Sequence, residues 1–344
     1  VLLHTGVLLL LCVLLAAPGV LWDALLFDDR PPPGGRAVAF LVLSFASWIV
    51  LAFGLCALHL LRPVLVGVLC TTAVSTALIV LARRPRPGLA RCTYDGRVWI
   101  LGVPIAAVLG GLLVIALSPV PGWDAEHYHL TIPRLYVESG GFRRIPYSLQ
   151  SNWPLGPQLL YALVLLFSDH VSAGLIHFIF GLATGALLII AGRRASGSAG
   201  AWAGLIAVAL FWSNPIVQYE STVAYVDLAV AFFFLAGFLA IQLGFDDAPR
   251  ARTWFFVAGV SAGMLAGSKV NGVISAAVLG AMAVFRLMRS GSSRPGWRIW
   301  LLAGGLPAAA LSALWPIKSW VLTGNPFYPF FYGHFGGGEW SDDL

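Results

Sequence analysis

The stretch WDAEHYHL gathers Asp124, Glu126, His127 and His129 within six positions, directly after an apolar run broken by SPVPG. Carboxylates and imidazoles are the side chains that move protons, and either acid set beside a hydroxyl can serve as a general base. In a helix Asp124 faces His127 and Tyr128, whereas Glu126 faces His129 and Leu130. The two acids therefore point differently, and a joint role needs a bend. The same helix separates the two histidine rings by about 200°, so they converge on a metal only if the segment is extended; interfacial hydrogen bonding is the default for that pair. Asp124 also has a purely structural reading, as the N-cap of AEHYHLTI, with Trp123 and Tyr128 as interface anchors.

Only two of the 21 basic residues are lysines, Lys269 in AGSKVNG and Lys318 in WPIKSW. An ammonium held near the membrane interface suits a phosphate; the competing reading of Lys269 is a snorkelling side chain at a hairpin tip. Asp227 in STVAYVDLAVAFFF leads a strongly apolar helix, with Glu220 seven residues upstream. A first-turn aspartate complements the helix dipole, yet a carboxylate at lipid depth needs a partner or a wet cavity, and Lys269 is the candidate partner. Arg143 and Arg144 invite either lipid headgroups or a phosphate.

The elements that must position these groups follow from composition. The 344 residues are 59% hydrophobic and 10% charged, against about 25% charged in a soluble domain. That excludes an ordinary soluble fold, and lipid-exposed backbone restricts the chain to helices. Apolar segments fall at 2–21, 37–61, 64–82, 98–118, 170–191, 199–213, 226–244, 254–268, 271–286 and 299–316. The expectation is an all-α, polytopic transmembrane bundle of about ten spans in one domain, 1–344. PLGPQLLYALVLLF, 154–167, is short and begins at prolines, so it packs in the interface or re-enters. The four cysteines, at 12, 56, 70 and 92, show neither a disulfide frame nor a zinc spacing. The net charge of +6 is dispersed between apolar runs, which argues against nucleic acid. Arg83, Arg84, Arg86, Arg91 and Arg97, then Arg193 and Arg194, then Arg286, Arg289, Arg294 and Arg298 mark three cytoplasmic segments by the positive-inside rule. The region 119–169, residues 214–225, the turn near 269 and everything after 316 are then outside. The chain begins with valine and stops in a polar tail, so further sequence at either end is expected.

Three motifs in this order, WDAEHYHL after a spanning helix, YVDLA at a later helix start and the GSKVNG turn, resemble the GT-C superfamily of membrane glycosyltransferases, which includes protein mannosyltransferases and the lipid A aminoarabinose transferase. KSWVLTGNPFYPF is similar to a segment of bacterial members. The resemblance covers roughly 98–332, leaving 1–97 as additional N-terminal spans. It implies a GT-C-like fold with a long outer loop carrying interfacial helices, and a polyprenyl-phosphate-linked sugar donor used on the outer face of the cytoplasmic membrane. Asp124 corresponds to the first-loop catalytic aspartate and Glu126 to its neighbouring acid; many members carry the two adjacent, whereas Ala125 intervenes here. Asp227 and Lys269 correspond to a second acidic position and a phosphate-facing lysine. With Asp124 as base, one displacement predicts inversion, and Glu126, His127, His129, Arg143, Arg144, Asp227, Lys269 and Lys318 are the candidate substrate and phosphate contacts. Magnesium or manganese would be accessory, since no motif demands a metal. The acceptor is a cell-envelope glycan, lipid or protein. Two other classes compete: a transporter or flippase, whose charges would lie within spans, and a non-catalytic assembly subunit.

Overall fold

The computed structural model describes residues 2–27, 32, 34–84, 98–119, 122–196, 200–289 and 296–337. Arg86, Arg91, Arg97, Arg294 and Cys92 lie outside these. Among the described residues 82% are helical and no strand occurs. In chain order the helices are α1 (Leu2–Leu26), α2 (Gly35–Ala57), α3 (Pro63–Arg83), α4 (Trp99–Ala116), α5 (Thr131–Ser139), α6 (Gly156–Leu165), α7 (His170–Ala195), α8 (Gly200–Ser213), α9 (Pro215–Thr222), α10 (Asp227–Asp246), α11 (Ala251–Ala266), α12 (Gly272–Met288), α13 (Trp297–Trp300), α14 (Leu306–Thr323) and α15 (Tyr332–Phe335). A π-helical turn, Leu301–Gly305, joins α13 to α14.

Seven of these stretches are long and apolar enough to cross a membrane: α1, α2, α3, α4, α7, α10 and the run Trp297–Thr323. The bent pair α8 and α9 makes an eighth if counted as one broken crossing. Of the ten expected spans, three are shorter than a bilayer demands: α8 has 14 residues, α11 has 16 and α12 has 17, where about 20 are needed. The 154–167 stretch forms only the ten-residue α6.

Helix ends follow local chemistry. Glycines at positive φ stop α5 at Gly140 and α14 at Gly324, where a Cβ would be strained. Asn214 caps α9 by accepting from the Ile216 amide, and Pro215 cannot donate to the turn before it; the chain bends by 73° there.

Burial sorts the helices into two shells. In α2, α7 and α10 between 61% and 67% of the apolar window is buried, against 11% in α3, α4 and Trp297–Thr323. The outer helices are apolar all round because lipid, not water, surrounds them. The centre is aromatic, with Phe45 stacked on Phe180 at 4.0 Å and Phe232 against both. Small residues let backbones touch: a Cβ on Gly192 of α7 would lie 2.2 Å from the Gly204 amide of α8, and one on Gly259 of α11 would lie 2.1 Å from the Gly304 carbonyl.

The helices alternate in direction, which collects the charges at two ends. At one, Asp246 takes Arg194 and Arg286 at 2.9 Å each, and Asp23 takes Arg36 and Arg84. Trp254 joins these two groups, since its indole donates to Asp247 and its ring packs on Phe27. Arg84, Arg194 and Arg286, one from each of the three expected cytoplasmic segments, thus share this arginine end. The opposite, acid end carries WDAEHYHL and the first turns of α7, α10 and α12.

Candidate functional site

WDAEHYHL is helical but not α-helical. Ala125–His129 forms a π-turn, closed by a bond from the Leu130 amide to the Ala125 carbonyl at 2.9 Å. Such turns widen a helix by one residue and concentrate at functional sites. The turn nonetheless leaves the two acids divergent, Asp124 towards Tyr128 and Glu126 exposed on another side. Tyr128 and His129 turn inward and are buried, whereas Glu126 and His127 are exposed.

Asp124 does not cap this helix, because its carboxylate accepts no backbone amide. It is half-buried and its charge acts on the Tyr128 hydroxyl. Burial, followed by the Asp124 charge, holds the Tyr128 phenol far above its ordinary range. The phenol therefore stays protonated beside the carboxylate at any physiological pH.

His129 packs on the Tyr128 ring at 4.1 Å, and its Nδ1 accepts the Gln158 amide at 2.8 Å. Burial, with further repulsion from His177 and Lys269, pushes the imidazole down to about 3, so the ring is neutral. Gln158 Oε1 is buried without a partner. His127 diverges from His129 and stacks on exposed Trp123 at 5.7 Å. Among the described residues no three His, Cys, Asp or Glu side chains come together as a metal site would require.

Asp227 opens α10, and its Oδ1 accepts the Lys269 ammonium at 2.9 Å. The two side chains are 43% and 34% exposed, open enough to meet a ligand. The start of α10 is fixed from below by His177 of α7, which donates from Nδ1 to the Val223 carbonyl and accepts the Leu228 amide at Nε2. Both bonds need the neutral ring, and the second satisfies an amide left free at the helix start.

Glu220 of α9 completes the group. Burial and then the Asp227 charge, with a smaller push from Asp124 and an opposing pull from Lys269, raise its carboxyl to about 7. Its Oε2 is buried with no partner. Asp124, Glu220, Asp227 and Lys269 thus act on one another at the acid end, ringed by Tyr128, His129 and Tyr225, whose own backbone carbonyl is held by the Tyr161 hydroxyl.

Other expected contacts lie elsewhere. Lys318 does not reach this group: it is 4% exposed, lies 5.4 to 5.8 Å from the rings of Tyr136, Phe142 and Trp315, and donates to the Ser151 carbonyl. A lysine so enclosed ties the 145–155 segment to α14. Arg143 and Arg144 follow Phe142 in that segment, Arg143 half-buried and Arg144 exposed. Glu126 lines a separate cavity of about 300 Å³ with Ser118, His170 and Thr222.

Sequence reasoning named Asp124, Asp227, Lys269 and their pairing. It noticed Glu220 only as a neighbour of Asp227, and it missed Gln158, His177 and Tyr225. The four-residue spacing of Asp124 and Tyr128 was a usable signal; the others are set by α9 bending and α6 folding back, which no local spacing encodes.

The helices and this polar cluster define a multi-pass α-helical membrane protein with ionisable groups collected at one end. No family model, curated protein or solved structure matches the chain.

Proposed function

We propose that the protein is a glycosyltransferase that moves a sugar from a polyprenyl-phosphate donor to a hydroxyl of a cell-envelope acceptor, at the outer face of the cytoplasmic membrane. The observation that carries this reading is a general-base candidate, Asp124, and a cation, Lys269 held by Asp227, that all act on Glu220 at one end of the bundle. The arginine-rich opposite end supports an outward-facing site through the positive-inside rule.

In the proposed reaction the acceptor oxygen attacks the anomeric carbon and its proton passes to Asp124. The bond between that carbon and the phosphate oxygen breaks, and polyprenyl phosphate leaves with its negative charge. Lys269 stabilises that charge, so the leaving group needs no protonation. Asp227 holds the ammonium in place before the donor arrives. A single displacement inverts the anomeric centre.

One observation favours a transporter instead: the 73° break between α8 and α9, since discontinuous helices build transport sites. Such sites lie near midplane, whereas the titratable cluster here is gathered at one end. The separating experiment incubates the purified protein in vesicles with radiolabelled polyprenyl-phosphate sugars and an envelope acceptor fraction. Label in the acceptor, absent from protein-free vesicles, supports transfer; label that crosses the bilayer still attached to its carrier supports transport.

A further inference from the structure

One large cavity lies apart from the polar cluster. It holds about 600 Å³ between α1, α3, α6 and α7, within the range of about 300–1000 Å³ typical of ligand sites. Its walls are hydrocarbon, with Leu11, Val74, Leu160, Leu163 and Ile176 among the lining side chains. Three of the polar side chains that line it are already engaged. Thr71 donates to the Gly67 carbonyl, Ser168 to Ser172, and the Trp48 indole to the Leu14 carbonyl. No cation lines it, so nothing there would hold a phosphate.

Two further observations identify the occupant. Leu3, Leu10 and Phe167 line the cavity and are also 74%, 55% and 59% exposed, so the opening is sideways, through the lipid-facing surface of spanning helices. The lining residues of α1, α3 and α7 come from the halves nearest the acid end, where His4 and Asp169 pair at 2.8 Å. The cavity therefore sits within a single leaflet. We propose that it is a binding site for one acyl tail of an ordinary bilayer phospholipid. The proposal is independent of the glycosyl-transfer reading.

The site has a structural consequence through α6. Leu160, Leu163 and Val164 face the cavity, while Gln158 and Tyr161 of the same helix hold His129 and the Tyr225 carbonyl. A seated tail packs the apolar side of the helix that orders the polar cluster, and no lining residue is shared with that cluster.

The test uses the full chain reconstituted in phosphatidylethanolamine and phosphatidylglycerol vesicles, with a trace of phosphatidylethanolamine bearing a diazirine midway along one acyl chain. After photolysis, adducts are expected on α6, at Leu163 and its neighbours. A Cβ on Gly67 would meet only Phe167, at 4.0 Å, so Gly67→Phe fills the cavity without a backbone clash. It should lower α6 adducts by about tenfold, as exclusion from a filled pocket requires, while adducts at the lipid-facing Leu78 and Ile79 stay unchanged. Gly67→Ala, which adds one methyl, should label as the parent does and controls for folding. The proposal is overturned if parental adducts are confined to Leu78 and Ile79, if Gly67→Phe leaves α6 labelling intact, or if unlabelled polyprenyl phosphate displaces the acyl probe from α6.

Discussion

At the scale of single residues, some groups hold the site and others act in it. The Lys269 and Asp227 pair is about one-third to two-fifths exposed, and pairs this open contribute only about 0–1 kcal/mol to stability. Lys269→Gln should therefore leave the melting temperature nearly unchanged while weakening polyprenyl-phosphate binding by about tenfold or more, the loss of one charge-assisted contact; an unchanged affinity would assign the pair to structure alone. Glu220 gives a pH signature. Its folded carboxyl titrates near 7, above its ordinary 4.5, so the folded state favours the protonated acid. The stability this contributes is complete below 4.5 and is lost as pH rises through about 7. Above that pH a third negative charge joins Asp124 and Asp227, and phosphate affinity should fall across about pH 6 to 8 in the parent. Glu220→Gln should flatten that profile; a variant with the parental slope would remove Glu220 from the site.

At the scale of elements, the cluster exists because four irregular joints aim helix ends at one place. The π-turn at Ala125–His129 turns Tyr128 and His129 inward, the break at Asn214 and Pro215 swings α9 and Glu220 aside, and the short α6 brings Gln158 under His129. The fourth is the His177 clamp on the start of α10. His177→Ala leaves the Leu228 amide buried without its partner, while the Val223 carbonyl keeps the Tyr225 amide; it should cost about 1–3 kcal/mol, read as a lowered melting temperature, and no change would mean that α10 holds its own first turn. These joints also mark what the sequence could convey. Hydropathy located most spanning helices, because a run of about 20 apolar residues has one structural outcome in lipid. It does not decide α8, α11 and α12, since an apolar run of 14 to 17 residues reads alike whether it crosses lipid or fills a protein core. Asp124, Asp227 and Lys269 were legible because a charge beside lipid-depth sequence demands a reason. Lys318 met the same criterion, but its aromatic enclosure was not legible, because it assembles from α5, the following segment and α14, distant in sequence.

At the scale of the whole molecule, the two ends differ in charge and so in side. Arg194 and Arg286 meet Asp246 at one end, and Trp123, 80% exposed, marks the other. In a cysteine-free background Trp123→Cys should react with a membrane-impermeant maleimide in intact spheroplasts, and Arg193→Cys only after permeabilisation; the reverse order would invert the orientation and move the site to the cytoplasm. The central claim, that Asp124 is the base of an outward-facing sugar transfer, is tested most directly by transfer from radiolabelled polyprenyl-phosphate sugar in vesicles containing the parent or Asp124→Asn at matched protein content. The account predicts that the parent transfers and that Asp124→Asn loses about a hundredfold or more in kcat/KM, with its melting temperature preserved. Equal transfer by both proteins would contradict it.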